Sequence, residues 1–322
     1  MTSFLRFTTL AFILFFQTGH LLAADDKELR KQRLEAQRER QQQVNERNRE
    51  INAARSDFRS LALELKTDYR EQLKSLDTES ELRQVDIRAD NQALIDNVEA
   101  EHQSKIMGLY MNPEAATPGG TPPATAEDLS AATKAYADKI FMLKKQYAEA
   151  LHGEGIATEK QKNELLTEMD QKVLEEAATL GLTGTYAPIL ASPIGGELTP
   201  QEERWNQRQK KEVAKQEAQN RKLLSEFRNG ARLRQWEIDN LDEDFRLTWA
   251  EKDKVHALDA EQAIMNSMMT GAAQGGAVDQ QQMMQQIQEL GAKKRAINTE
   301  YRKIRDRNRI ERREQRKAIL AE

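Results

Sequence analysis

The chain has 322 residues, of which 32% are charged, 6% are aromatic and none is cysteine. This composition excludes disulfide bonds and thiol chemistry, and it favours long helices and coiled coils over a compact globule. The formal charge of −4 gives no support to a nucleic-acid-binding protein.

The first 24 residues have the pattern of a secretory signal peptide. Arg6 supplies the positive charge, residues 10–16 form a short apolar core, and residues 22–24 form a suitable cleavage site. The apolar core is shorter than the about 20 residues that a membrane-spanning helix needs, and no later stretch reaches that length. We therefore expect an exported protein, periplasmic or extracellular, that begins near Asp25 and has no transmembrane segment.

The stretch from Asp25 to about Met107 predicts one long helix, because it lacks proline and glycine and has apolar residues at helical spacing. The spacing is seven residues at first, and a step of eleven from Leu76 to Ile87 indicates a hendecad-like passage. We expect the apolar seam at 44–65 to be exposed and to promote self-association. The positions on this face are Val44, Ile51, Phe58, Leu61, Leu65, Tyr69, Leu73, Leu76, Ser80, Gln84, Ile87, Asn91, Leu94 and Val98.

A break at residues 108–124, which contains four prolines, precedes the second helical region. Thr125 followed by Asp128 predicts the N-cap of the next helix. Gly153 and Gly155 then predict an interruption, after which a capping box at residues 158–161 predicts a new helix that continues to Leu180.

Residues 181–199 predict an irregular connector, because glycine and proline are frequent there. A free linker would be polar, whereas this segment has several apolar residues, so we expect it to pack against the helices. Thr199, Pro200 and Glu202 predict a sharp start of the following helix. Three side chains of the connector should be at least half buried: Tyr186, Ile189 and Ile194.

The third helix contains all three tryptophans, so we expect the best-packed core around it. Glycines at 271, 275 and 276 predict its end, and Asp279 with Gln282 predicts the cap of a fourth helix. The expected apolar positions are Trp205, Val213, Leu224, Phe227, Ile238, Leu241, Phe245 and Trp249 in the third helix, and Met283, Ile287, Leu290, Ile297, Tyr301 and Ile304 in the fourth.

These patterns predict an all-α fold of elongated antiparallel helical hairpins with coiled-coil character. The expected organisation is a signal peptide at 1–24, an N-terminal hairpin at 25–180, an ordered connector at 181–199, and a C-terminal hairpin at 200–322 with a basic last helix. Whether the two hairpins pack side by side or splay apart stays open.

No catalytic constellation is recognisable in the sequence. His102, His152 and His256 lie in separate regions without the spacing of metal ligands, so we interpret each as a helix-face residue. The acidic cluster at 239–244 lacks the glycine and the alternation of a calcium loop, and we interpret it as a solvated helix face. We predict that the protein is not an enzyme and has no metal site or cofactor.

Methionines are concentrated beside the two predicted breaks. They could fill gaps where helices converge, form an adaptable tip that docks on a partner, or bind Cu(I) through their thioethers. Gap filling is the simplest of these interpretations, and the other two stay open. The residues are Met107, Met111, Met265, Met268, Met269, Met283 and Met284.

Basic residues are concentrated near both ends of the predicted mature chain. Residues 27–49 have eight Lys or Arg against four Glu, and residues 302–317 have nine against three acids. Such a face either contacts an anionic surface, such as phospholipid headgroups, or is solvated and paired along its own helix. The candidate contact residues are Arg302, Arg305, Arg309, Arg312, Arg313 and Arg316.

The passage from Leu198 to Glu202 reads Leu-Thr-Pro-Gln-Glu. It resembles the LTxxQ repeat of small helical periplasmic proteins of the Spy/CpxP type, with Glu202 in place of the final glutamine. This resemblance implies a client-binding chaperone.

The periodicity and the signal peptide instead favour a non-enzymatic exported coiled-coil protein, acting as a structural scaffold or interaction adaptor of the cell envelope. Its expected partners are another protein or a second copy of the chain. The periplasmic chaperone is the alternative, and a Cu(I)-binding protein is a third hypothesis.

Overall fold

The computed structural model confirms the all-α fold, with four helices in chain order. They are α1 (Ser3–Tyr110), α2 (Ala126–Thr179), α3 (Pro200–Ala272) and α4 (Gln280–Ala321). The structure describes the backbone of residues 3–110, 125–272 and 280–321, and the side chains of residues 27–109, 125, 128–266 and 281–321. The side chains of the predicted signal peptide lie outside this set. Within the described ranges, no helix has an apolar stretch long enough to cross a membrane.

The chain forms two compact units, and α1, α2 and α3 each contribute to both. Unit 1 comprises Met1–Lys66 and Asp170–Arg228, and unit 2 comprises Thr67–Met169 and Asn229–Glu322. Unit 1 therefore contains the first part of α1, the end of α2, the connector and the first part of α3. Unit 2 contains the remainder of these three helices together with α4.

In unit 1, α1 and α3 run parallel. Arg47 donates to Gln209, and Arg55 donates to Asn220, so that positions about 162 to 165 residues apart face each other. The buried positions of α1 follow a seven-residue period through Val44, Ile51 and Phe58. A shared period of seven keeps the two contact faces together along their length.

The core of unit 1 brings three segments together around Phe58, which is 1% exposed. Its ring meets that of Phe227 edge to face, with centroids 5.8 Å apart. The prediction that the seam at 44–65 is exposed is wrong, because the same chain covers it. Self-association stays a prediction, but this seam does not supply its surface. The buried members of the core are Phe58, Ala62, Val173, Ala177, Leu182, Leu224 and Phe227.

The connector packs against unit 1, as predicted. Tyr186, Ile189 and Ile194 are all more than half buried. The indole N–H of Trp205 donates to the carbonyl of Ile189 at 2.9 Å, and the Arg33 guanidinium donates to the carbonyl of Ile194 at 2.8 Å. These bonds satisfy carbonyl groups that an irregular segment cannot pair along itself.

Gly195 shows why this connector needs glycine. Its φ is 76°, in the left-handed region that disfavours other residues. A Cβ at this position would also lie 2.7 Å from Cδ1 of Leu29 in α1. The backbone conformation therefore favours glycine here, and a larger residue would also displace the Leu29 side chain.

Two predicted helix caps are confirmed. The Thr199 backbone N–H and hydroxyl both donate to the Glu202 carboxylate at 2.9 Å, and the Glu202 N–H donates back to the Thr199 hydroxyl at 3.3 Å. Thr125 and Asp128 form the same reciprocal arrangement before α2. Asp279, predicted to cap α4, lies outside the described residues.

The predicted interruption at Gly153 and Gly155 is wrong, because α2 is continuous from Ala126 to Thr179. Each internal glycine costs a helix only about 1 kcal/mol, and contacts with neighbouring helices can offset this. Glu154, between the two glycines, receives a hydrogen bond from Arg83 of α1 at 2.8 Å. Thr158 is not an N-cap, since its hydroxyl donates to the Glu154 carbonyl within the helix.

In unit 2, consecutive helices are antiparallel neighbours. Glu101 of α1 pairs with Lys139 of α2, and Tyr69 of α1 donates a hydrogen bond to Glu168 of α2. Lower residue numbers on α1 thus face higher numbers on α2, so the two helices are antiparallel. Equivalent pairs join α2 to α3 and α3 to α4. The pairs in chain order are Lys145–Asp253, His152–Asp242, Arg305–Glu251 and Arg312–Asp244.

The burial pattern of α1 changes period in unit 2. Its inner positions advance by four, three and four residues, an eleven-residue period that confirms the hendecad-like passage. The predicted apolar positions Leu94 of α1 and Leu241 of α3 are wrong, because both are exposed, and Ile95 takes the inner position on α1. The inner positions are Tyr69, Leu73, Leu76, Ser80, Gln84, Ile87, Asn91, Ile95, Val98, His102, Ile106 and Leu109.

The best-packed core includes α3, as predicted, but its fully buried side chains are not the tryptophans. Trp249 is buried, whereas Trp205 and Trp236 are only half buried. The fully buried side chains of α3 are Leu224 and Asn220, both in unit 1.

Candidate functional site

The six arginines predicted to meet an anionic surface divide into two groups on α4. Arg312 and Arg305 face α3, where Arg312 binds Asp244 at 2.7 Å and Glu243 at 2.9 Å, and Arg305 pairs with Glu251. Hydrogen bonds to Asp244 raise the pKa of Arg312 above its usual value, against the effect of burial. These two arginines fix α4 to α3.

The acidic cluster at 239–244 is largely solvent-exposed, as predicted, with 55% of the Glu243 side chain and 53% of the Asp244 side chain accessible, but it also pairs with neighbouring helices. Glu243 and Asp244 pair with Arg312, and Asp242 meets Nε2 of His152 at 3.1 Å. Sequence reasoning missed these pairs because their partners lie 68 or more residues away along the chain. The cluster joins α3 to both of its neighbours in unit 2.

The other four arginines project from the same side of α4 and make no ion pair within the described part of the chain. Three of them, Arg309, Arg313 and Arg316, line a groove of about 590 Å³ beside Trp236 of α3. With 3.6 residues per turn, all six arginines fall within about 100° of the helix circumference. The acids Asp306, Glu311 and Glu314 lie outside that arc, so the α4 wall of the groove is uniformly basic. The α3 wall contributes one acid, Asp244, which is paired with Arg312. The exposed arginines on this side of α4 are Arg302, Arg309, Arg313 and Arg316, and we name the groove lined by the last three the arginine groove.

The described members of the predicted methionine set lie near one end of unit 2. Met107 is close to the end of α1, Met265 is close to the end of α3, and Met283 and Met284 are close to the start of α4. Met283 is buried and fills a packing position, whereas Met107 and Met284 are exposed. The remaining predicted members lie outside the residues whose side chains are described: Met111, Met268 and Met269.

Two histidines form a reciprocal pair of contacts that sequence reasoning missed. His152 of α2 stacks on Phe245 of α3, with ring centroids 3.9 Å apart, and also meets Asp242. His256 of α3 stacks on Phe141 of α2 at 3.8 Å, and its Nε2 lies 3.0 Å from Asp138. Each helix thus supplies an aspartate and a phenylalanine that receive the histidine of the other.

A sequence signal for this arrangement exists. Phenylalanine follows aspartate by three residues and histidine follows phenylalanine by eleven in both helices, at 138, 141 and 152 and again at 242, 245 and 256. An eleven-residue step returns a side chain to the same face of a helix with this period. Antiparallel packing of two helices with the same spacing makes the contacts reciprocal. We interpret them as contacts that fix the register of α2 on α3.

Within the described residues, no group of three or more histidine, aspartate or glutamate side chains is arranged to hold a metal ion. His102 stacks on Tyr136 across α1 and α2, with centroids 4.1 Å apart, so His102, like His152 and His256, lies at a helix contact. The arginine groove is therefore the candidate site with the clearest chemistry.

Comparison of the chain with protein-family models, with curated proteins and with solved structures finds no match.

Proposed function

We propose that this chain is a non-enzymatic exported protein that acts as a structural scaffold or interaction adaptor of the cell envelope. The observation that carries the proposal is the arginine groove of α3 and α4. Arg305 and Arg312 are anchored by acids of α3, which leaves the other arginines directed away from the helix pair. An exported adaptor needs such a rigid cationic surface to engage the anionic headgroups of an envelope membrane.

The geometry of the groove suits peripheral contact. Guanidinium groups bind phosphate with two parallel hydrogen bonds, and α4 presents several of them along one line. Each basic residue near an anionic surface contributes about 1 kcal/mol at physiological ionic strength, so four exposed arginines support reversible binding of a peripheral kind. The association should weaken as salt is added, because exposed charges are screened.

The test is cosedimentation of the mature chain with vesicles of phosphatidylglycerol and phosphatidylcholine in equal amounts, and with phosphatidylcholine alone. We expect binding to the anionic vesicles only. A variant with Arg309→Glu, Arg313→Glu and Arg316→Glu should lose it. A control of equal charge change, Lys210→Glu, Lys211→Glu and Lys215→Glu on the exposed face of α3 in unit 1, should retain it. Equal losses in both variants, or no binding by the unmodified chain, would contradict the proposal.

The exposed methionines favour a client-binding chaperone as the second candidate. Met107 and Met284 lie at the same end of unit 2, and unbranched thioether side chains adapt to irregular apolar surfaces. A chaperone should suppress aggregation of an unfolded client at a near-equal molar ratio, and Met107→Asp with Met284→Asp should abolish the effect. A scaffold should leave client aggregation unchanged.

A further inference from the structure

The helices of unit 2 form an open row with α1 at one edge and α4 at the other. Hydrogen bonds and ion pairs link α1 to α2, α2 to α3, and α3 to α4, as described above. Each edge helix has a single stripe of buried or half-buried side chains, whereas α2 and α3 each have two, one for each neighbour. In a closed four-helix bundle all four helices would be buried to a similar extent. The outer faces of α1 and α4 are therefore unpartnered within the described residues.

The outer face of α1 has a second stripe with the same spacing as the inner one. Its positions also advance by four, three and four residues, and most of its side chains are small or apolar. Leu82 is 63% exposed and Val85 is 56% exposed. A helix face that only meets solvent usually has charged and polar residues, so this composition indicates a contact surface. The members of this outer stripe are Thr78, Leu82, Val85, Ala89, Ala93, Asp96, Ala100, Ser104 and Met107.

An eleven-residue stripe restricts the partner that can cover it. A helix with a seven-residue period drifts away from such a stripe within a few turns, whereas a helix of equal period stays in contact. On α4 the inner positions 290, 294, 297, 301, 305, 308 and 312 advance by four, three and four residues, so this part of α4 in a second copy has a matching period. The small residues Ala89, Ala93 and Ala100 allow a close approach of the two helices.

Charge decides which helix of the second copy fits. From Thr67 to Tyr110, α1 has ten acidic and five basic residues, a formal charge of −5. From Gln280 to Ala321, α4 has twelve basic and five acidic residues, a formal charge of +7. Pairing α1 with α1 would bring like charges together, whereas pairing α1 with α4 brings opposite charges together.

The spacing of exposed residues along the outer faces of α1 and α4 also agrees with this pairing. Ile310, which is 64% exposed, is the main apolar residue on the outer face of α4. An antiparallel alignment with Leu82 opposite Ile310 brings Asp96 within one residue of Arg295. The same alignment brings the exposed Met107 within one residue of the exposed Met284. One register therefore satisfies two apolar contacts and one ion pair.

We propose that α1 of one copy packs antiparallel against α4 of the next copy, through the outer face of each edge helix. This interface goes beyond the proposed function, because a monomeric adaptor would not need it. The two surfaces are different, so the contact is heterologous, and repeated addition of copies extends the row or closes it into a ring.

The absence of cysteine from the sequence gives a direct test. Full-length mature chains with Asp96→Cys and with Arg295→Cys are mixed and oxidised, and the mixture should form a disulfide-linked pair of one chain of each kind. A matched mixture of Leu63→Cys with Arg295→Cys should not, because Leu63 is also exposed but lies outside the outer stripe. Cross-linking of the Asp96→Cys chain mainly to itself would overturn the proposal in favour of an α1–α1 contact.

A charge exchange measures the same interface without cross-linking. Sedimentation velocity should show that Asp96→Arg and Arg295→Asp each weaken self-association by about tenfold or more, since like charges at an interface are strongly unfavourable. The double variant with both changes should recover association, because the ion pair forms again with reversed polarity. A monomeric unmodified chain, or a double variant as weak as the single ones, would overturn the proposal. Vesicle binding uses the arginine groove, so these variants should retain it, which separates failure of this interface from failure of the proposed function.

Discussion

Replacing Phe58 by alanine tests whether unit 1 is held together by the core that α1, α2 and α3 share. The ring is 1% exposed and is surrounded by Val173, Ala177 and Leu224, none of which is exposed at all. Phe→Ala substitutions in a core cost about 3–5 kcal/mol, the spread depending on how far the surroundings collapse. Here the small neighbour Ala62 cannot fill the space. We therefore expect a loss near the middle of that range, about 4 kcal/mol.

The measurement is chemical denaturation of the mature chain followed by circular dichroism, together with amide hydrogen exchange. Exchange should accelerate most at residues 54–66, 173–182 and 220–228, which surround the ring, and less in unit 2. Leu63→Ala on the same helix is the control, because Leu63 is 67% exposed and its loss should change stability by no more than about 0.5 kcal/mol. Equal effects of the two substitutions would refute the assignment of Phe58 to the core.

Three further predictions concern stability, each measured by the melting temperature. Gly153→Ala should stabilise α2 by about 0.5–1 kcal/mol, because a helix interior favours alanine. Gly195→Ala should instead destabilise unit 1, because of its positive φ and close packing. A change of melting temperature in the same direction for both variants would contradict the reasoning. His152→Ala and His256→Ala should each cost about 1–3 kcal/mol, since each removes a stacked ring and an aspartate contact, and a loss at only one site would show that the two are not equivalent. Hydrogen bonding by the Thr199 backbone lowers the pKa of Glu202 below its usual 4.5, so the stabilisation is present above pH 4.5 and is lost as the pH falls through the lower folded-state value. Glu202→Gln should remove this part of the acid sensitivity, and an unchanged acid profile would contradict it.

The sequence was informative wherever a local signal had a single structural meaning. The Thr199–Glu202 box defined the start of α3, because its donors and acceptors are only three residues apart. The connector was correctly expected to pack, because its apolar side chains need cover. The change from a seven-residue to an eleven-residue period was visible at Leu76 and Ile87, because periodicity is a property of one helix alone.

Glycine and single apolar residues were weaker predictors of helix ends and of buried positions. Gly153 and Gly155 suggested a break that does not exist, since the cost of glycine in a helix is small and contacts made by Glu154 outweigh it. Leu94 was placed inside by its apolarity, although the eleven-residue period gives that position to Ile95. In both cases the preference of a single residue competed with packing over many turns.

The sequence by itself thus determined the all-α fold, the caps at Thr125 and Thr199 and the repeat period of the contact face of α1, because these depend on interactions within a few residues. Only the tertiary structure decided which faces meet. It placed α1 parallel to α3 in unit 1, covered the seam at 44–65, joined His152 and His256 to aspartates of the opposite helix, and left the outer faces of α1 and α4 without a partner. Those outcomes depend on pairs of residues far apart in the chain. A stripe of apolar residues shows that a helix has a partner without showing which helix it is.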